Sequence, residues 1–347
     1  MKNKLLISII SVFFGLAICI IMTEFFNTST KKKYYFERIF NSKSILKFDK
    51  SYPKMDRSEY VMYLRSDSNI VERDRTEIDE KNSKYKFYFS DLSFSKKVIK
   101  TLVLPNNFNI ILCNQNKLFY SNKLILNCFD FDSKKTIKYR FKDLKIISLK
   151  FITETKYLCL AEAKNKQNNY NTGFFIIDIS NNTYLCSKIL ETNSYSICPE
   201  NALMYSGTFS YNMDTPNKII SYCCDKYSSI YFFDCNGNFT KELNTKENVP
   251  LPQILRNTKG DSFYGRSGTW STNSGMFMND DDIYVFSTRS DFFTKIIIDQ
   301  YSYKTLEYKN SFKLIYNKSN SNSIRNVYKL KNKILIGFEF NYASFIF

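Results

Sequence analysis

Histidine is absent from this 347-residue chain. That removes Ser-His-Asp and Cys-His nucleophiles, His-ligated metal centres and imidazole acid–base pairs from consideration. Any catalysis has to run on carboxylates, tyrosine, lysine, arginine or cysteine. Tryptophan occurs once, proline six times and glycine nine times, against 26 Tyr and 32 Phe. The nine cysteines form no CxxC pair and no zinc-type spacing, and no cofactor or metal motif accompanies them. A sustained helical stripe is missing beyond residue 40. Also missing is any cluster of Lys and Arg interleaved with aromatics, so the net charge of +17 does not mark a nucleic-acid surface. Much of that charge follows from the Lys- and Asn-rich usage that an AT-rich genome imposes.

What is present begins at the first residues. Lys2 and Lys4 precede an uncharged run from Leu5 to Met22, 18 residues broken only by Ser8, Ser11 and Gly15. A membrane-spanning helix needs about 17–25 such residues, so residues 5–22 are expected to anchor the chain. A cleaved signal peptide would have a shorter apolar core and a small-x-small site. A lipoprotein signal is approached by Leu16-Ala17-Ile18-Cys19, but bulky Ile18 stands where a small residue belongs. Both remain alternatives. Lys31, Lys32 and Lys33 balance the N-terminal charges, which weakens the positive-inside signal. That basic run suits anionic headgroups. The short N-terminal flank places the long remainder outside the cytoplasm, on a single-pass anchor in the cell membrane. The division expected is an anchor and basic linker over 1–33 and an extracytoplasmic domain over 34–347.

Beyond Lys33 the periodicity is of strand type. Runs of Tyr, Phe, Ile and Leu, four to eight residues long, alternate with Asn, Ser, Lys and Asp clusters, as at Tyr85–Phe89, Phe174–Ile177 and Ile283–Phe286. The 44% hydrophobic content supports a real core. Eight cysteines lie beyond Cys19, most of them within apolar runs, and read as buried free thiols. An oxidising compartment would also permit disulfides. On a strand, Cys223 and Cys224 point to opposite faces. An apolar strand ending in aspartate recurs at Asp91, Asp130, Asp178, Asp234 and Asp299, at spacings of 39, 48, 56 and 65 residues. Polar turn residues follow, including the hairpin signal Asn236-Gly237. The carboxylate is expected to accept backbone N–H groups of the turn.

Such spacing fits four-stranded propeller blades stretched by loop insertions. The block from Lys218 through Phe233-Asp234-Cys235-Asn236-Gly237 resembles the six-bladed β-propellers of the TolB-like kind in bacterial envelopes. The resemblance implies an all-β fold of six four-stranded blades over residues 45–347 and carries no functional residue with it. A strand near Ile45–Phe48 is expected to complete the blade formed by the last strands, protecting open edges. Two β-sandwiches dividing near residues 191–217 are the alternative.

One segment departs from the background. Gly260 to Gly275 holds four of the nine glycines and the only tryptophan. Trp270 suits stacking on a sugar or base, and Arg266, near Asp261, suits a carboxylate or phosphate. These three are the candidate ligand-binding residues, against the simpler reading of an inter-blade loop with Trp270 plugging the core. Asp280-Asp281-Asp282 reads as a hairpin tip. The charged stretch Glu72–Glu80 reads as a polar loop. The function expected is binding of a protein or glycan. The alternative is a carboxylate-based polysaccharide hydrolase or lyase with opposed acids in the central funnel.

Overall fold

The computed structural model describes residues 14–19, 22, 36–53, 58–59, 69–91, 97–105, 109–113, 116–122, 124–193, 203–212, 218–258, 262–265, 270–288, 296–314, 316, 324–330, 333–338 and 341–347. Strand β1 (Lys47–Pro53) is followed by blade 1: β2 (Ser58–Glu59), β3 (Asn69–Glu77), β4 (Asn82–Asp91) and β5 (Lys97–Pro105). Blade 2 is β6 (Asn109–Cys113), β7 (Lys117–Asn122), β8 (Ile125–Asp130) and β9 (Thr136–Arg140). Blade 3 is β10 (Leu144–Phe151), β11 (Lys156–Lys164), β12 (Tyr170–Asp178) and β13 (Thr183–Asn193). Blade 4 is β14 (Gly207–Asn212), β15 (Ile219–Cys224), β16 (Ser229–Phe233) and β17 (Phe239–Asn244). A small hairpin, β18 (Ile254–Arg256) and β19 (Ser262–Tyr264), precedes blade 5: β20 (Asn273–Asn279), β21 (Asp282–Ser287), β22 (Ile296–Ser302) and β23 (Tyr308–Leu314). Blade 6 takes β24 (Asn326–Leu330), β25 (Lys333–Gly337) and β26 (Asn341–Ile346), with β1 as its outermost strand.

The fold is therefore an all-β, six-bladed propeller. Its ring closes where β1 pairs antiparallel with β26, from Lys47↔Ile346 to Pro53↔Asn341. The expected closing strand is present, beginning two residues later than its apolar pattern suggests. No division into sandwiches occurs near 191–217, because blades 3 and 4 pack face to face there. Phe174 of β12 is fully buried, its ring 4.8–6.2 Å from those of Phe209, Tyr222, Tyr231 and Phe233.

The core lies in the seams between blades. Each blade is covered on both faces, so its central strands read as continuous apolar runs: β15 (IISYCC) and β16 (SIYFF) are buried at every position. Outer strands face solvent on one side and are more polar, as in β9 (TIKYR). Cys223 joins the seam between blades 4 and 5, and Cys224 the seam between blades 3 and 4. The two thiols thus occupy opposite faces of one strand, as their adjacency requires.

The recurring aspartates end the third strand of successive blades. Asp130 accepts the N–H groups of Asp132 and Ser133, Asp178 that of Ser180, and Asp234 those of Asn236 and Asn238. The Ser180 hydroxyl and N–H on Asp178, and the Ser133 N–H and hydroxyl on Asp130, hold both turn carboxylates below the usual range. Asp299 departs from the pattern: it sits inside β22 and is buried, and its partner is an arginine. The charged stretch Glu72–Glu80 is corrected as well. All but its last three residues belong to β3, where alternation matches the two-residue period of a strand. Arg73 lies over the Tyr85 ring and Arg75 bonds Ser83. Asp280–Asp282 form the β20–β21 hairpin tip as expected, with Asp280 in the left-handed region at φ 51°.

Residues 14–19 and Met22 are helical, and the rest of the expected span 5–22 lies outside the described residues. Among the described residues no helix is long and apolar enough to cross a membrane.

Candidate ligand-binding face

Strand direction alternates within each blade, so the turns after second strands and the connections between blades share one face of the disc. On that face the connection from blade 4 to blade 5 carries the β18–β19 hairpin. Backbone pairing sets its start: Thr245 donates to the Ser228 carbonyl at 2.8 Å, and Val249 donates to Ser228 Oγ at 2.6 Å. Gly265 donates to the Gln253 carbonyl at 2.8 Å. The hairpin docks through Tyr264, whose hydroxyl donates to the Leu203 carbonyl and lies 2.8 Å from Ser206 Oγ. Leu255 and Phe263 stay exposed on it.

Beneath Tyr264 lie Asp225 and Lys226, at the end of β15. Asp225 N–H donates to the Ser206 carbonyl, and Thr272 N–H donates to the Asp225 carbonyl, both at 2.9 Å. Lys226 lies 5.6 Å from the Tyr264 ring centre and donates to Ser271 Oγ. Burial pushes the Asp225 carboxyl up to about 6, with Lys226 opposing the rise. The result is a carboxyl close to neutrality beside a lysine and a tyrosine, framed by an inserted hairpin. Trp270, expected from the sequence as a ligand contact, is half-buried and directly precedes Ser271, the partner of Lys226. Asp261 and Arg266 lie outside the described residues.

A second polar centre links the same connection to the rim. Arg38 is buried, and its guanidinium forks onto Asp299 through Nε at 2.9 Å and Nη2 at 3.0 Å. Nη2 also donates to Glu247 Oε1 at 2.5 Å. Ser287 Oγ donates to Glu247 Oε1 at 2.6 Å, Thr272 Oγ1 to Oε2 at 3.1 Å, and Ser311 Oγ to Asp299 Oδ1 at 2.5 Å. Burial raises the Glu247 carboxyl, while Ser287 and Arg38 pull it back down. The backbone beside Arg38 pairs parallel with β23: Asn41 donates to the Ser311 carbonyl at 2.9 Å, and Ser311 to that of Ile39 at 2.8 Å. This centre bolts the N-terminal segment onto blade 5. Nothing local in the sequence marks Arg38 except that arginine suits buried, forked ion pairs better than lysine.

The innermost strands, β2, β6, β10, β14, β20 and β24, wall the central channel. Apart from Glu59 on β2 they contain no acid, and β10 and β24 contribute Lys145, Lys150 and Lys329. Burial lowers the Lys150 ammonium to about 8. Gly275 of β20 takes φ 140°, and a side chain there would press on Val327 of β24 at 3.0 Å.

Fold and face together define a six-bladed β-propeller closed by its N-terminal strand, with a hairpin insertion on its connection face. No family model matches the chain, and no curated protein matches it. A member of the DUF4221 family from Bacteroides vulgatus is similar over 87% of this chain and 96% of its own, at 10% identity and a TM-score of 0.44. A luciferin-regenerating enzyme is similar over 88% and 96%, at 8% identity and 0.42. The WD40 repeats of RRP9 follow over 89% and 98%, at 7% identity and 0.39. Likenesses this distant define no activity.

Proposed function

We propose that the protein is a membrane-anchored, extracytoplasmic propeller that binds a protein or glycan on the face carrying the β18–β19 hairpin. The observation that carries this reading is the composition of the channel wall. A funnel hydrolase needs two opposed carboxylates about 5–9.5 Å apart, and among the described residues the inner strands carry Lys145, Lys150 and Lys329 in sequence against one acid, Glu59. The connection face offers what a binding surface needs: exposed Leu255 and Phe263, a half-buried Trp270, and the Asp225–Lys226–Tyr264 group. Aromatic anchors with nearby charged groups suit both proteins and sugars. The likeness to TolB-like envelope proteins belongs to this reading as one of architecture. Residues 5–22 serve in it as the anchor, and residues 34–347 as the exported domain.

The test places a photo-crosslinking amino acid at Phe263 and, on the far rim, at Ile137 of β9, in the full chain on intact cells. A discrete, competable adduct from Phe263 and none from Ile137 is expected. Adducts from neither position remove the proposed face. Release of reducing ends from a polysaccharide panel, abolished by Asp225→Asn, would replace binding with hydrolysis.

A further inference from the structure

Arg38 fixes where the N-terminal segment meets the disc, and that point has a direction. Residues 39–41 run along the outer edge of β23, and Phe36 packs edge-on against Tyr308 of the same strand at 5.1 Å. The chain therefore reaches the propeller at the rim of blade 5 and passes to the rim of blade 6 as β1. Between Met22 and Phe36 lie residues 23–35, which reach at most about 45 Å when fully extended. An anchor over 5–22 holds this rim close to the bilayer, whereas the rim of blade 2 lies across the disc.

The rim at that point has the chemistry of a membrane contact. Ile39 is 67% exposed and Phe40 39% exposed, although both adjoin the buried Arg38. Lys313 Nζ sits 4.0 Å from the centre of the Phe40 ring. Lys43 and Glu37 are exposed in the same segment, Lys309 is ion-paired with Asp282, and Lys31–Lys33 precede the segment in the linker. Exposed apolar side chains with a lysine over one ring and a basic run before them match the interface of an anionic bilayer. A second apolar patch, Val98, Ile99 and Val103, lies on β5 of blade 1. We infer that the rim of blades 5 and 6 is the membrane-facing edge of the disc, with Ile39 and Phe40 seated against anionic lipid. This rests on the anchored reading of residues 5–22. The disc then stands on its edge, leaving the hairpin face open to ligand.

The full chain would be reconstituted into vesicles of phosphatidylcholine with and without phosphatidylglycerol. A photo-crosslinker would be placed in turn at Ile39, Phe263 and Ile137, with lipid adducts counted, and alkaline carbonate extraction would report the anchor separately. The expected result is carbonate resistance and several-fold more lipid adduct from Ile39 than from the other two positions, increased by phosphatidylglycerol. Carbonate resistance with no excess at Ile39 overturns the rim contact and leaves the anchor standing. A dominant adduct from Phe263 overturns it by turning the hairpin face to the membrane. Carbonate release with strong Ile39 labelling keeps the rim contact and removes the anchor. Release without labelling removes both.

Discussion

Arg38 stands 209 residues from Glu247 and 261 from Asp299, and it is what keeps those two carboxylates compatible with burial. Truncating one side of such a pair leaves an uncompensated buried charge and costs about 3–5 kcal/mol. Arg38→Ala is therefore predicted to lower the urea midpoint by a matching amount, with its slope preserved. A drop below about 1 kcal/mol, the range of an exposed pair, would show the centre to be dispensable. Asp225 supplies a second prediction, with a pH signature. Its folded-state value of about 6 lies above the ordinary 3.8, so the native state prefers the protonated acid. That stabilising preference is complete below about pH 4 and is lost as pH rises through about 6. Asp225→Asn escapes the loss. The variant should match the wild type in acid and exceed it by up to about 3 kcal/mol above neutrality. Chemical denaturation across pH would read the crossover, and a constant difference at all pH values would refute it. Neither residue was legible as important. The sequence shows Arg38 and Asp225 only in their local context, and their roles are set by partners that the ring brings from other blades.

Elements were legible in proportion to how buried they are. The central strands of each blade, such as β4, β12, β16 and β21, are packed on both faces and announce themselves as apolar runs. The inner strand β14 (GTFSYN) and the outer strands β9 and β17 carry mixed side chains, because one side meets the channel or solvent. Their periodicity fades accordingly. The turn aspartates were readable because their bonds are local, within four residues at Asp130, Asp178 and Asp234. Asp299 looked the same from its preceding run, Ile296-Ile297-Ile298, but no polar turn follows it. The sequence singles out the Trp270 segment by its glycines, whereas Asp225-Lys226 and Tyr264 lie in two other stretches of apolar and polar residues with no local mark. A third prediction belongs to β1. Removing residues 1–53 would expose the β26 edge, an invitation to intermolecular pairing. The truncated chain should aggregate on refolding, and a synthetic peptide of residues 36–53, which restores both Arg38 and β1, should return it to a monomer by size-exclusion chromatography. A monomer without the peptide would mean the ring holds itself shut.

At the scale of the molecule, the ring is held by seam packing, ion pairs and one closing strand pair. Cys128, Cys159, Cys223 and Cys224 are buried free thiols, and burial raises their pKa, whereas Cys186 and Cys235 are exposed. Thiolates react and thiols do not. Among these six, a thiol reagent at neutral pH should modify only Cys186 and Cys235 in the native protein. The other four should react only in denaturant, as mass spectrometry of labelled peptides would show. Early labelling of Cys223 would mean that the seam between blades 4 and 5 opens locally, and of Cys224 that the seam between blades 3 and 4 does.

The closure has a consequence in time as well as in space. Strand β1 is made well before its partner β26. Blades 1 to 5 can pair internally as they emerge, while residues 47–53 wait for β26. The pairing of Lys47 with Ile346 is thus among the contacts of greatest sequence separation in the ring, and the free edge of β1 stays open until β26 has been made.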